Sequence, residues 1–225
     1  MQRIVITVLL LGFVYFIAKV IMDYLSGISG TRSAARQDLL QLDELLDVYD
    51  LGEWDDHEIE LLSRRYEVAQ KTELYAYIDY GCFFNIYDEA IMAFAHKEYK
   101  ENNRELIVIA FHDKRFHFNM NAGKVEMTQK SVGAGEVDLS DGLKIQLGNK
   151  TAHIDTNMSA GLIPMTVGSK EIFSIATEDE LTKDTGRMLH KVRDYTPEEG
   201  AIMKLALSFA SVSYTHLTLP TIYSV

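Results

Sequence analysis

Between residues 104 and 176 the chain is cut into short apolar runs by turn signals, and this punctuation constrains its fold more than any other feature. Residues 106–111 (LIVIAF) are apolar without interruption, the pattern of a strand covered on both faces. Residues 112–114 (HDK) turn the chain, and Phe116, Phe118 and Met120 then alternate with His117 and Asn119, the two-residue period of a half-buried strand. Asn121-Ala122-Gly123 is the next turn signal, followed by Val125 and Met127. Gly133 and Gly135 read as loop residues before Val137 and Leu139. Asp141-Gly142 precedes a further alternating set, Leu143, Ile145 and Leu147, and Asp-Gly between alternating runs is a strong hairpin signal. Ala152 and Ile154, residues 162–167, and residues 172–176 beyond Gly168-Ser169 continue the series. Residues 187–192 offer one more strand or a helical turn. About eight strands so spaced predict an antiparallel meander that curls or closes into a barrel, with an open sheet packed on helices as the competing arrangement.

Behind the strands, Thr196-Pro197-Glu198-Glu199 has the form of a helix start, with a capping threonine, proline at the first helical position and an acid at the third. Residues 200–211 (GAIMKLALSFAS) are apolar on nearly every side except at Lys204 and the serines. A helix without a polar face is buried in protein or inserted in a membrane, and residues 201–211 are too short to span a bilayer alone. Ile202, Met203, Leu205, Leu207 and Phe209 therefore predict a core helix; the start of a second membrane segment is the alternative.

Ahead of the strands, residues 33–72 predict a helical hairpin. Leu39, Leu42, Leu46 and Tyr49 form one stripe, widened by Leu40, Leu45 and Val48 and ended by Gly52. Asp55 opens a second helix with Glu58 three residues on, and Ile59, Leu62, Tyr66 and Ala69 form its apolar face. Residues 73–103 are a mixed connecting segment. Tyr75, Tyr77, Ile78, Phe83, Phe84 and Ile86 favour extended structure around Gly81, whereas residues 88–100 (DEAIMAFAHKEYK) predict a helix. Alternation of Met92, Phe94 and His96 offers a strand as the alternative there.

The two ends differ in texture from the rest. An apolar run opens at Ile4, closes at Met22 and is broken only by Lys19; residues 1–24 predict a transmembrane anchor. The run spans roughly 28 Å as a helix, close to the hydrocarbon thickness of a bilayer. A cleaved signal peptide is the rival, but the run exceeds the usual apolar region and no A-x-A site follows. Residues 25–32 (LSGISGTR) read as a linker. Lys19, Arg32 and Arg36 after the run, against Arg3 before it, lean toward a cytoplasmic soluble domain, with which a free Cys82 is compatible. The expectation is a single-pass membrane protein. At the other end, residues 212–221 (VSYTHLTLPT) resemble a translated sequencing adapter, so residues 212–225 read as a non-native tail.

Chemistry is sparsely marked. The 33 acids against 22 bases, a net charge of −11, argue against nucleic-acid binding, which needs a basic surface. His112 and His117 lack the face-sharing spacing of a zinc motif, and His57 sits on an acidic helix start. Cys82, the only cysteine, lies between Gly81 and two phenylalanines and reads as a small buried hydrophobe. Gly133-Ala134-Gly135 lacks the third glycine of a dinucleotide fingerprint, and no P-loop is present. Asp138, Ser140 and Asp141 alternate like calcium ligands, yet the position of the required glutamate holds Asn149. No G-x-S-x-G elbow occurs. No catalytic, cofactor-binding or metal-ligating residue is therefore named, and no cofactor is expected.

A meander of strands followed by a capped, nearly all-apolar helix resembles the tubby-like architecture shared by tubby C-terminal, LURP-one-related and phospholipid scramblase domains. The resemblance covers residues 104–211 and is architectural; no family motif matches. It implies an antiparallel barrel wrapped around the C-terminal helix. Tubby-type headgroup binding would also want a basic pocket, whereas residues 23–225 hold 20 bases and 33 acids once Arg3 and Lys19 are set aside. The expected class is thus α+β: a transmembrane helix, a helical hairpin, a β meander or barrel and an apolar helix. The expected function is a membrane-anchored, non-enzymatic binding module for a protein or lipid partner. The expected partners are the membrane, through residues 4–22, and a protein docking on residues 33–72. A structural subunit of an envelope assembly and a tethered enzyme are the alternatives.

Overall fold

The computed structural model describes Tyr15, Ile17 and residues 32–54, 64–73, 76–85, 89–99, 103–130, 132–157, 161–176 and 189–213. Helix α1 (Arg32–Leu46) precedes twelve strands, and helix α2 (Pro197–Ser213) follows them. The strands are β1 (Arg64–Glu73), β2 (Ala76–Phe84), β3 (Ala90–Tyr99), β4 (Arg104–Ala110), β5 (Arg115–Asn121) and β6 (Lys124–Gln129). After them come β7 (Val132–Asp138), β8 (Leu143–Leu147), β9 (Lys150–Ile154), β10 (Leu162–Val167), β11 (Lys170–Ala176) and β12 (Leu189–Lys191). All belong to one sheet whose order in space is their order in the chain, each pair antiparallel.

Strands β3 and β4 are buried on both faces, as the unbroken apolar run of β4 demands. Ile107 and Ile109 of β4 point into one core with Phe94, Phe118 and helix α2. Leu106, Val108 and Ala110, one residue out of phase, point into a second core with Ala93, Ala95 and helix α1. The alanines of β3 on that face let α1 lie close to the sheet. Within α1, Ala35, Leu42 and Leu46 are buried while Leu40 is 57% exposed, and Val48, just beyond its end, is 77% exposed, so the apolar stripe is narrower than its leucine count suggests.

Helix α2 is enclosed. Every residue from Leu205 to Ser211 is buried, which leaves no solvent-facing side over two turns. It packs against β8, β9 and β10 and also touches β3 and β4, so the sheet bends around it. Phe209 meets Phe118 of β5 at 4.6 Å between ring centroids. Its start is a reciprocal cap: the Glu199 carboxylate accepts from the Thr196 N–H at 2.9 Å, and Thr196 Oγ1 accepts from the Glu199 N–H at 3.3 Å. Val212 packs partly buried against the same core, and α2 continues to Ser213, into the adapter-like stretch.

Several expectations are corrected by this arrangement. The sheet has twelve strands rather than about eight, nine of them after residue 103 and three before it. Of the helical hairpin expected over 33–72, the described residues hold α1 and strand β1: β2, rich in tyrosine and phenylalanine, takes residues 64–70 and Glu73 as an antiparallel partner, so Tyr66 and Ala69 lie on a strand and not on a second helix. Residues 90–99 are strand β3, not helix: they are hydrogen-bonded between β2 and β4, and both faces are needed by the two cores. Gly133 and Gly135 lie within β7, not in a loop. A Cβ at Gly135 would collide with the Gln146 carbonyl of β8, so glycine permits the close pairing there.

The membrane expectation is also withdrawn. No helix among the described residues is long and apolar enough to cross a membrane. Apart from Tyr15 and Ile17, residues 4–22 lie outside the described residues, so nothing described supports a single-pass anchor or a membrane localisation. His57, the proposed second helix start at Asp55 and residues 214–225 lie outside them as well.

Candidate functional site

Helix α1 covers β3 and β4 but stops short of β5 and β6, leaving a step on the outer face of the sheet. The step is a cleft of about 630 Å³. Its floor is the outward face of β5 and β6, with Arg115, His117 and Thr128. One wall is α1, through Arg36, Leu39, Leu40 and Asp43, and the other carries Lys130. Tyr49, Asp50 and Leu51 and the β4–β5 turn, residues 111–114, close its end.

The walls are held by charged struts whose placement follows from helix geometry. At about 100° per residue, Asp38 falls on one flank of the Leu42/Leu46 stripe and Asp43 and Asp47 on the other. Asp38 accepts from Lys97 Nζ at 3.1 Å and from the Tyr99 hydroxyl, both on β3. Lys97 is 1% exposed, and its ammonium lies 5.2 Å from the Tyr99 ring centroid. On the other flank, Asp43 Oδ2 pairs with His117 Nε2 at 2.8 Å. Arg115 reaches Asp43 Oδ1 at 3.5 Å and Asp47 Oδ1 at 2.6 Å, and donates to the Asp43 carbonyl at 3.3 Å. The helix is thus tied to β3 and β5 while its leucines rest on β4.

His112 Nδ1 lies 2.7 Å from the Leu51 carbonyl, which can only accept, so the ring donates from Nδ1 and pins the segment after α1 to the β4–β5 turn. His117 is likewise engaged, with Asp43. The two histidines share the cleft, but among the described residues no group of three or more His, Cys, Asp or Glu is placed to hold a metal ion. Cys82 is buried in the second core, and burial pushes its thiol up to about 11, so the reactive thiolate is scarce at neutral pH. Asp138 is an Asx-turn acceptor: its carboxylate takes the Ser140 N–H at 2.9 Å, and hydrogen bonding to Ser140 holds its pKa below the usual carboxylate value.

A second cleft of about 440 Å³ shares residues 111–114 with the first and opens beside α2. It is lined by Trp54, Phe111, Phe116, Leu147, Pro197 and Lys204, among others. Lys204, the polar interruption in an otherwise apolar helix, donates to the Trp54 carbonyl and stands 5.8 Å from its ring centroid. In the sequence Arg36 counts only as a charge flanking the apolar run, and nothing marks Asp43, Asp50 and Lys130. They are scattered over more than ninety residues with no local motif, and only the packing of α1 across the sheet brings them together.

Comparison with protein-family models, with curated proteins and with solved structures finds no match.

Proposed function

We propose that this chain is a non-enzymatic binding module that takes its ligand in the cleft between α1 and β5–β6. The observation that carries this reading is the preorganisation of the cleft. Arg115, His117 and His112 are spent on Asp43, Asp47 and the Leu51 carbonyl, which hold the two walls in place before any ligand arrives. Rigid walls lower the ordering cost of binding, and a volume of about 630 Å³ lies within the range of small-molecule sites. The histidines that a catalytic reading would recruit act here as struts, and Cys82 is buried in the second core, away from solvent. The likeness to tubby-like domains stays a proposal, supported by a C-terminal helix enclosed in a sequentially ordered antiparallel sheet.

The test is a thermal-shift screen of the purified chain against a panel of neutral, cationic and anionic small molecules, followed by amide hydrogen exchange with any hit. Protection of residues 36–51 and 111–117 is the expected result. Hits whose protection maps only elsewhere, for example to the Trp54–Lys204 cleft, would refute the assignment.

A further inference from the structure

Resting on the reading of this cleft as a binding site, we infer that its ligand is a small molecule bearing phosphate or clustered carboxylate oxygens. Several charges around the cleft are already engaged with one another. Asp43 is shared by Arg115 and His117, and Asp113 lies 3.4 Å from Lys114. Arg36 on α1 and Lys130 at the end of β6 are both exposed, and among the described residues neither makes a hydrogen bond or ion pair. Two uncommitted cations thus face one cleft from separate walls, in a chain whose net charge is −11.

Placement gives these cations a role that an isolated surface lysine lacks. Arg36 stands on a helix that is itself pinned at Asp38, Asp43 and Asp47. Lys130 is carried by a turn residue at φ 49°, so its backbone direction is set by the β6–β7 reversal. The guanidinium offers a planar fork and the ammonium a point charge, a pairing suited to oxyanions with several acceptor oxygens. Asp50 opposes them: it is exposed on the same cleft and likewise makes no ion pair among the described residues. It makes the site selective for ligands whose anionic group sits toward Arg36 and Lys130, and it supplies a variant that should improve binding.

The experiment is titration calorimetry of the full chain with pyrophosphate and with citrate at constant ionic strength, repeated on single variants of unchanged thermal midpoint. Arg36→Gln and Lys130→Gln should each weaken binding about tenfold, the scale of one lost charge-assisted hydrogen bond. Asp50→Asn should tighten it about threefold by removing a repulsion at cleft distances. Lys124→Gln, at the opposite end of the β5–β6 hairpin, should change nothing. The pyrophosphate and citrate arms separate phosphate from carboxylate recognition, and preference for either supports the inference. It is overturned if neither anion binds up to about 10 mM, the edge of specific affinity, or if Lys124→Gln weakens binding as much as the cleft variants. It is overturned equally if an acidic peptide binds while both small anions fail. A neutral hit that protects the cleft while both anions fail overturns the ligand class and leaves the binding reading standing; anions whose protection maps elsewhere overturn both.

Discussion

Lys97 is the residue at which the fold takes its largest electrostatic risk. Its side chain is sealed between α1 and β3 at 1% exposure, and the carboxylate that meets it, Asp38, belongs to a helix 59 residues away in sequence. Burying an ammonium costs several kcal/mol unless it is paired, so loss of its partner leaves an uncompensated charge, whereas Asp38, 20% exposed, keeps water and the Tyr99 hydroxyl when Lys97 is replaced by an apolar side chain. The two sides of the pair should therefore respond unequally. Asp38→Ala is expected to destabilise the protein by about 3 kcal/mol, since it takes a carboxylate from both Lys97 and Tyr99. Lys97→Met should stay within about 1 kcal/mol of the parent. Urea denaturation of the two variants decides this, and equal losses would show that the contact is an ordinary surface pair.

Among the elements, α2 has the most local definition and α1 the least. The cap of α2 is visible in four consecutive residues, and it sets a pH dependence. Donation from the Thr196 N–H, with Lys150 and Lys170 nearby, holds the Glu199 carboxyl below the usual glutamate range. A carboxyl depressed in the native state stabilises fully above its unfolded pKa and loses that contribution as pH falls through the native one. The stability gap between the parent and Glu199→Gln should thus be widest near neutral pH and close as pH drops below 4.5. Denaturant midpoints across that range check it, and a gap constant with pH would remove the ionised cap from the account. The end of α1, by contrast, is not legible locally: the apolar stripe runs to Tyr49 and Gly52 offers a stop, yet the helix ends at Leu46 and Val48 is left exposed.

At the scale of the molecule, twelve strands joined in chain order make almost every pairing local, but the core is not complete until the last described element is in place. Helix α2 supplies Ile202, Met203, Leu205, Leu207 and Phe209 to a cluster that also holds residues of β3, β4 and β5. Leu205 is 1% exposed, and truncating such a leucine to alanine costs about 2–5 kcal/mol. Leu205→Asp adds a buried charge to that loss and should consume most of a net stability of about 5–15 kcal/mol. The expected outcome is loss of the cooperative thermal transition. Retention of it would mean that the sheet folds without its central helix.

What the sequence determined by itself was the local grammar: the turns at residues 112–114, 121–123, 141–142 and 168–169, the two-sided burial of β4 and the apolar, capped α2. These depend on a residue and its neighbours within one turn or one strand period, so they survive without a partner in view. Tertiary structure decided the rest. Residues 90–99 carry a pattern that suits helix and strand alike, and Tyr66 and Ala69 fall at helical spacing, yet residues 64–73 and 90–99 became β1 and β3 because β2 and β4 offered backbone to pair with. Gly133 and Gly135 looked like loop glycines, and only the approach of the Gln146 carbonyl shows why a strand needs one there. The cleft itself exists because α1 rests on β3 and β4 and not on β5 and β6, a choice made by alanines at 93 and 95 and by Asp38, Asp43 and Asp47 finding cations on two strands. Such pairings join residues up to 74 positions apart, beyond the reach of any periodicity in the chain.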